Sequence, residues 1–182
     1  MKAAKHILKF LKATSDRKLS YKRDEILNYM SKDGKLVITV YTDADFGSDT
    51  ADHKSFTGFL IYVNGCLVDW VCRKQSNIAT STTESEYISL CEASKAVLHI
   101  YQLLAEFFPT ENPITVYTDS ESSQKMAENN LNSRRTKHIW IIYRFVTEWI
   151  KLNLLKLFHV AFDPPHENCS WRTSQPQGME KP

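Results

Sequence analysis

Asn64-Gly65 constrains this chain more than any other pair of residues. Both residues tolerate the positive φ that a two-residue type I′ turn demands, and they separate two β-rich runs, Ser55 to Val63 and Leu67 to Lys74. An antiparallel hairpin is the expectation, and what flanks it decides the architecture. Upstream, Leu36 to Tyr41 is a dense β-branched run, read as a strand ending in the acidic loop Thr42-Asp43-Ala44-Asp45-Phe46-Gly47-Ser48-Asp49. Downstream, Ser81-Thr82-Thr83-Glu84 has the form of a capping box, with Ser81 as N-cap and Glu84 at the third helical position. The helix it opens is expected to reach about Phe108, before Pro109, with Tyr87, Leu90, Cys91, Val97, Leu98, Tyr101 and Leu104 on its buried face.

Ile114 to Thr118 then reads as a short strand leading to Asp119-Ser120, with a short helix over Ser122 to Glu128. Strand followed by helix predicts a parallel crossover. Ile139, Ile142, Tyr143, Val146, Trp149 and Ile150 mark a longer helix, and Leu154 to Val160 the last strand. Ahead of all this, Ala3, Ile7, Leu8 and Leu11 form one apolar helical face set among lysines, followed by a polar connection. From Asp163 onward the prolines and polar residues carry neither periodicity, so a mobile tail is expected. The organisation is therefore a lead-in helix and connection over 1–34, an α/β domain over 35–162 and a tail over 163–182.

Composition narrows the function classes only a little. Across 182 residues, 23 Lys and Arg against 21 Asp and Glu give a net charge of +2, too balanced to indicate nucleic acid by itself. Distribution says more: Met1 to Arg23 holds eight basic residues against Asp16 alone, whereas Thr42 to Asp52 holds four aspartates. A basic arm beside an acidic cluster suits phosphate binding next to a metal site. Cys66, Cys72, Cys91 and Cys169 have no metal-ligand spacing and read as reduced, mostly core-filling residues. No apolar run approaches the roughly 20 residues of a membrane span, and nothing resembles a signal peptide, so a cytoplasmic or nuclear location is expected, with no membrane partner.

Three acids fall where the expected elements meet: Asp43 at the end of the first strand, Glu86 near the start of the long helix, and Asp119 at the end of the fourth strand. Carboxylates crowded together repel, and a divalent cation relieves that repulsion; hard oxygen ligands suit Mg²⁺ or Mn²⁺. Taken singly, each Asp after a strand is more simply a turn or capping residue.

Together these features resemble the ribonuclease H domain of copia-type retrotransposon Pol polyproteins, including its lead-in from the reverse transcriptase. The matching text is Ala3 to Thr14 (AAKHILKFLKAT), Tyr41 to Asp49 (YTDADFGSD), Lys54 to Phe59 (KSFTGF), Trp70 with Arg73-Lys74-Gln75, Ser81 to Leu90 (STTESEYISL), Tyr117-Thr118-Asp119-Ser120 and Arg135-Thr136-Lys137-His138-Ile139. The resemblance implies a ribonuclease H-like α/β fold, a mixed five-stranded sheet flanked by helices. It places Asp43, Glu86 and Asp119 as the catalytic carboxylates, holding two Mg²⁺ ions for which Mn²⁺ can substitute. The activity implied is hydrolysis of the RNA strand of an RNA/DNA hybrid, with the reverse transcriptase domain of a parent polyprotein as a further partner. Glu86 rather than Glu84 fits, because the family's carboxylate immediately precedes the residue that Tyr87 matches. Asp45 and Asp49 read as loop or supporting residues. Arg73, Lys74, Arg134, Arg135 and Lys137 are candidates for holding phosphates, the plainer reading of each being a solvated surface charge. His138 matches a family histidine and is open between capping, packing and catalysis.

The pattern departs from the family after the last strand. Members carry one more catalytic Asp there, in an alanine- and leucine-rich helix; here the count falls near Glu167 or Asn168, and Pro164-Pro165 disfavour a helix at that point. Trp140 also stands where the family has an acid. Asp163 or Glu167 would have to substitute, and activity is expected to be weak, Mn²⁺-dependent or absent if neither does. A catalytically dead remnant that at most binds nucleic acid is thus the alternative, and a different nuclease or integrase on the same fold is a third.

Overall fold

The computed structural model describes residues 2–16, 18–21, 23–128 and 137–160. The elements are α1 (Lys2–Ala13), α2 (Arg23–Asn28), β1 (Ile38–Asp45), β2 (Phe56–Val63), β3 (Cys66–Lys74), α3 (Thr82–Ala105), β4 (Ile114–Thr118), α4 (Glu121–Glu128), α5 (Lys137–Lys151) and β5 (Leu155–His159). The five strands form one mixed sheet in the order β3-β2-β1-β4-β5. β1 pairs with β2, and β2 with β3, in antiparallel fashion, whereas β4 joins β1, and β5 joins β4, in parallel.

The hairpin turns where expected: Asn64 has φ 48° and Gly65 φ 73°. Asn64 also binds the start of β1, its amide donating to the Val37 carbonyl and its Oδ1 accepting from the Val37 N–H, each at 2.8 Å. That pair of hydrogen bonds sets the register in which Asp43 faces Gly58 across the β1–β2 ladder. β1 is longer than the sequence indicates at its C-terminal end. Asp43, Ala44 and Asp45 pair with Gly58, Thr57 and Phe56, so ladder hydrogen bonds carry the strand through its acidic end, and Asp43 lies inside the strand rather than after it.

Alternation divides the sheet into two faces. Ile38 and Val40 of β1, Phe59 and Ile61 of β2, Ile114 and Val116 of β4, and Leu155 and Leu157 of β5 share the core with Tyr87, Leu90, Cys91, Val97 and Leu98 of α3 and Val146 of α5. The intervening residues make an aromatic row on the other face: Tyr41 stacks on Tyr117 with ring centroids 5.0 Å apart, Tyr62 meets Tyr41 edge-on at 5.7 Å, and Phe158 lies 5.9 Å from Tyr117.

Three further departures have local causes. α2 forms within the stretch read as a polar connection, a single short helix whose polar residues hide its period. α3 ends at Ala105, and the Phe107 and Phe108 amides close turns onto the Leu104 carbonyl instead of continuing the helix. Of the cysteines, Cys91 is buried, which pushes its thiol up to about 11, but Cys66 is half-buried and Cys72 is exposed on edge strand β3, correcting the expectation of core-filling thiols; Cys169 lies outside the described residues. Ile7, Leu8, Phe10 and Leu11 of α1 are all exposed.

Leu90 is fully buried where α3 meets the sheet. Leu90→Ala is expected to cost about 2–5 kcal/mol, read as a lowered urea midpoint at unchanged slope.

Candidate metal centre

Three elements deliver the three acids. Asp43 sits in central strand β1, only 8% exposed, with Oδ1 accepting the Ala44 N–H at 2.9 Å. Glu86 lies in the first turns of α3. The helix starts there because Ser81, in extended conformation, accepts the Glu84 N–H at 3.2 Å. Glu84 completes the cap one residue earlier than a standard capping box, its Oε2 taking the Thr80 N–H at 2.7 Å together with the Thr80 hydroxyl. Glu84 is thereby committed to capping, which leaves Glu86 as the helix's contribution to the cluster. Asp119 follows β4, and behind it Ser120 caps α4 by accepting the Ser123 N–H at 3.2 Å.

One carboxylate oxygen each from Asp43, Glu86 and Asp119 lies within 4.8 Å of the others. Like charges so placed repel by roughly 3 kcal/mol per pair at an effective dielectric of about 20, and a divalent cation among them turns each of those terms into a larger attraction. The donor set is three hard oxygens, one buried and two half-buried, and it fits a divalent metal ion.

A buried hydroxyl fixes the spacing of two of these acids. Ser89, three residues beyond Glu86 on α3, is fully buried and donates to the Asp43 carbonyl at 2.7 Å, with the Gly58 carbonyl at 3.3 Å. With its proton so used, its oxygen accepts from Thr42 Oγ1 at 2.9 Å. The chain Thr42–Ser89–Asp43 thus ties the peptide of one acid to the helix carrying another. Sequence reasoning missed Ser89, although a serine on an otherwise apolar helical stripe is the available signal. It also missed His159, at the end of β5, whose Nε2 lies 3.1 Å from the Asp119 carbonyl oxygen.

The basic candidates are placed unevenly. Arg73 turns to α3, where Nη2 and Nε approach Glu92 at 3.0 and 3.1 Å. Lys74 meets Asp49 at 2.7 Å and Asp52 at 3.0 Å. The Lys74 ammonium, together with the Ala51 N–H, holds the Asp49 carboxyl down at about 2. Arg134, Arg135, Asp163 and Glu167 lie outside the described residues, as do the side chains of Lys137 and His138 at the start of α5. Among the described residues no helix is long and apolar enough to cross a membrane.

Strand order and acid cluster together define a class: the fold is that of the ribonuclease H domains. A ribonuclease H1 isolated from compost by a metagenomic approach superposes with TM-score 0.51 at 15% identity, covering 68% of this chain and 84% of that one. The chain's homologues are Pol polyproteins of copia-type retrotransposons. The retrovirus-related Pol polyprotein from transposon TNT 1-94 of Nicotiana tabacum is 30% identical over 159 residues, 87% of this chain and 11% of the polyprotein. That from transposon RE2 of Arabidopsis thaliana is 28% identical over 160 residues, 87% of this chain and 10% of the polyprotein. The chain therefore spans about a tenth of the length of these relatives. No family model matches it.

Two outcomes test this geometry. Ser89→Ala is expected to weaken Mn²⁺ binding roughly 10–100-fold, measured by paramagnetic resonance titration, because it frees the strand from the helix. Asp49 should titrate near 2 by carboxyl NMR and move up towards the ordinary value of about 3.9 in Lys74→Gln. Since its folded value is depressed, the pair's contribution to stability is present above about pH 4 and lost as the pH falls through 2, and exposure keeps it small.

Proposed function

We propose that the chain is a ribonuclease H that hydrolyses the RNA strand of an RNA/DNA hybrid at two divalent ions, Mg²⁺ or Mn²⁺. The observation that carries this reading is the convergence of Asp43, Glu86 and Asp119 within 4.8 Å on a fold of that class. When bound, the ions would supply Lewis-acid stabilisation of the scissile phosphate and a water made nucleophilic near neutral pH.

The protein's own part is positional. Asp43 is held at its carbonyl by Ser89 and at its carboxylate by the Ala44 amide, so its carboxylate is presented in one direction. Glu86 is held by a capped helix start, and Asp119 by the β4–α4 junction, where His159 meets its carbonyl. Lys74 and Arg73 are proposed to guide phosphates towards the cluster, each exchanging an acidic partner for the substrate. Arg134, Arg135 and Lys137 are proposed to do the same, with recognition of the RNA strand through its 2′-hydroxyls. His138 keeps the role left open for it from sequence, between capping, packing and catalysis, and Asp163 or Glu167 is proposed as a substitute for the family's last Asp. Reverse transcriptase is the proposed neighbour in a longer polyprotein.

The test is cleavage of a labelled RNA/DNA hybrid in Mg²⁺ and in Mn²⁺, beside Asp43→Asn and Asp119→Asn proteins. The expected result is cleavage by the wild type, reduced roughly 100-fold or more in either variant. Folded wild-type protein that leaves the hybrid intact in both metals would contradict the proposal.

A further inference from the structure

Gly58 occupies the middle of β2, where a glycine costs roughly 0.5–1 kcal/mol relative to alanine. Among the described residues nothing requires it. Its φ lies outside the left-handed region, and the only irregularity of the β2–β3 ladder is between Ile61 and Tyr62. A Cβ at position 58 would meet its nearest atoms, the Asp43 and Val71 carbonyl oxygens, at 3.8 and 4.0 Å, which is ordinary contact. A strand glycine with no bulge and no crowding marks a place where something outside the chain comes close.

Its position says what that is. Gly58 pairs with Asp43 on one side and Cys72 on the other, so the row Asp43–Gly58–Cys72 crosses the sheet from the carboxylate cluster to the edge of β3, two strand spacings or about 10 Å away. The neighbouring row is taller: Tyr41, Leu60 and Trp70. Tyr41, Gly58, Leu60, Trp70 and Cys72 line one apolar recess, and Trp70, at its outer end, is 59% exposed. Lys74 stands two residues further along the same edge strand, on the same face by alternation.

We infer that this recess is a track for the substrate strand: the nucleotide next to the phosphate held at Asp43 passes over Gly58, and its neighbour packs against the Trp70 indole. The inference rests on the proposed nuclease reading and deepens it. An apolar floor with an exposed indole suits sugar and base faces, and a missing side chain beside the carboxylate gives them room. Asp43 can therefore be reached from the β2 side only while position 58 carries no side chain.

The experiment uses the full chain with Gly58→Ala, Gly58→Val and Trp70→Ala, measuring thermal midpoint, hybrid affinity by fluorescence anisotropy in Ca²⁺, and KM against kcat in Mg²⁺ or Mn²⁺. Gly58→Ala is expected to melt no lower than the wild type, since a β-carbon there meets only ordinary contact, and the midpoint of Gly58→Val reads whether its two methyl groups are accommodated as well. Gly58→Val should weaken hybrid binding roughly 10-fold or more and raise KM by a like factor, with Gly58→Ala in between. Trp70→Ala should weaken it roughly 5-fold or more. A stable Gly58→Val protein that binds hybrid as the wild type does would overturn the inference alone. A wild type that neither binds nor cleaves would overturn this and the nuclease reading together.

Discussion

The β1 strand has neighbours of opposite sense, antiparallel β2 and parallel β4, and its register against both is what places the acids. Val40 and Thr42 point to the helical side, Tyr41 and Asp43 to the other, so a slip of one residue would drive the carboxylate into the core and Val40 into the open. The Asn64 clamp on Val37 fixes that register at one end of the strand, and Ser89 fixes it at the other. Between them lies a strand paired with β2 from Ile38 to Asp45 and with β4 over Thr39 to Thr42, a rigid support for an acid that must keep its distance from its partners.

Neutralisation of the acidic segment 43–52 is shared among different devices. Asp49 and Asp52 are met by Lys74 from β3, and this ties the loop to the edge strand. Asp43 is carried by its strand away from that loop and towards Glu86 and Asp119. Three of the four aspartates in this sequence cluster therefore belong to two structures, Asp49 and Asp52 to a salt-bridged loop and Asp43 to a three-carboxylate centre, while Asp45 ends β1. The centre's like charges make it a place that gains from a divalent ion, whereas the loop is already balanced by its lysine.

Much of this was legible because it is local. Asn64-Gly65, Ser81 with Glu84, and the parity of Ile114 to Thr118 each announce an element through short-range chemistry. Choosing Glu86 over Glu84 rested on a resemblance, and the Thr80 bonds of Glu84 supply its physical reason. The extension of β1 through Asp45 was hidden because aspartates are poor strand formers, and only pairing with Phe56 to Gly58 holds them there. Ser89, His159 and the Asp43–Gly58–Cys72 row were illegible for one shared reason. Each depends on residues 14 or more positions apart becoming neighbours, and no periodicity encodes which strand lies beside which.

Three carboxylates from β1, α3 and the end of β4 are proposed to act as one cation site. Calorimetric titration of the full chain with Mn²⁺, beside Asp43→Asn, Glu86→Gln and Asp119→Asn proteins of unchanged circular dichroism, tests it most directly. The wild type is expected to bind Mn²⁺, and each single replacement to weaken binding by a comparable, large factor. Binding that survives all three replacements, or a folded wild type that binds no Mn²⁺, would contradict it.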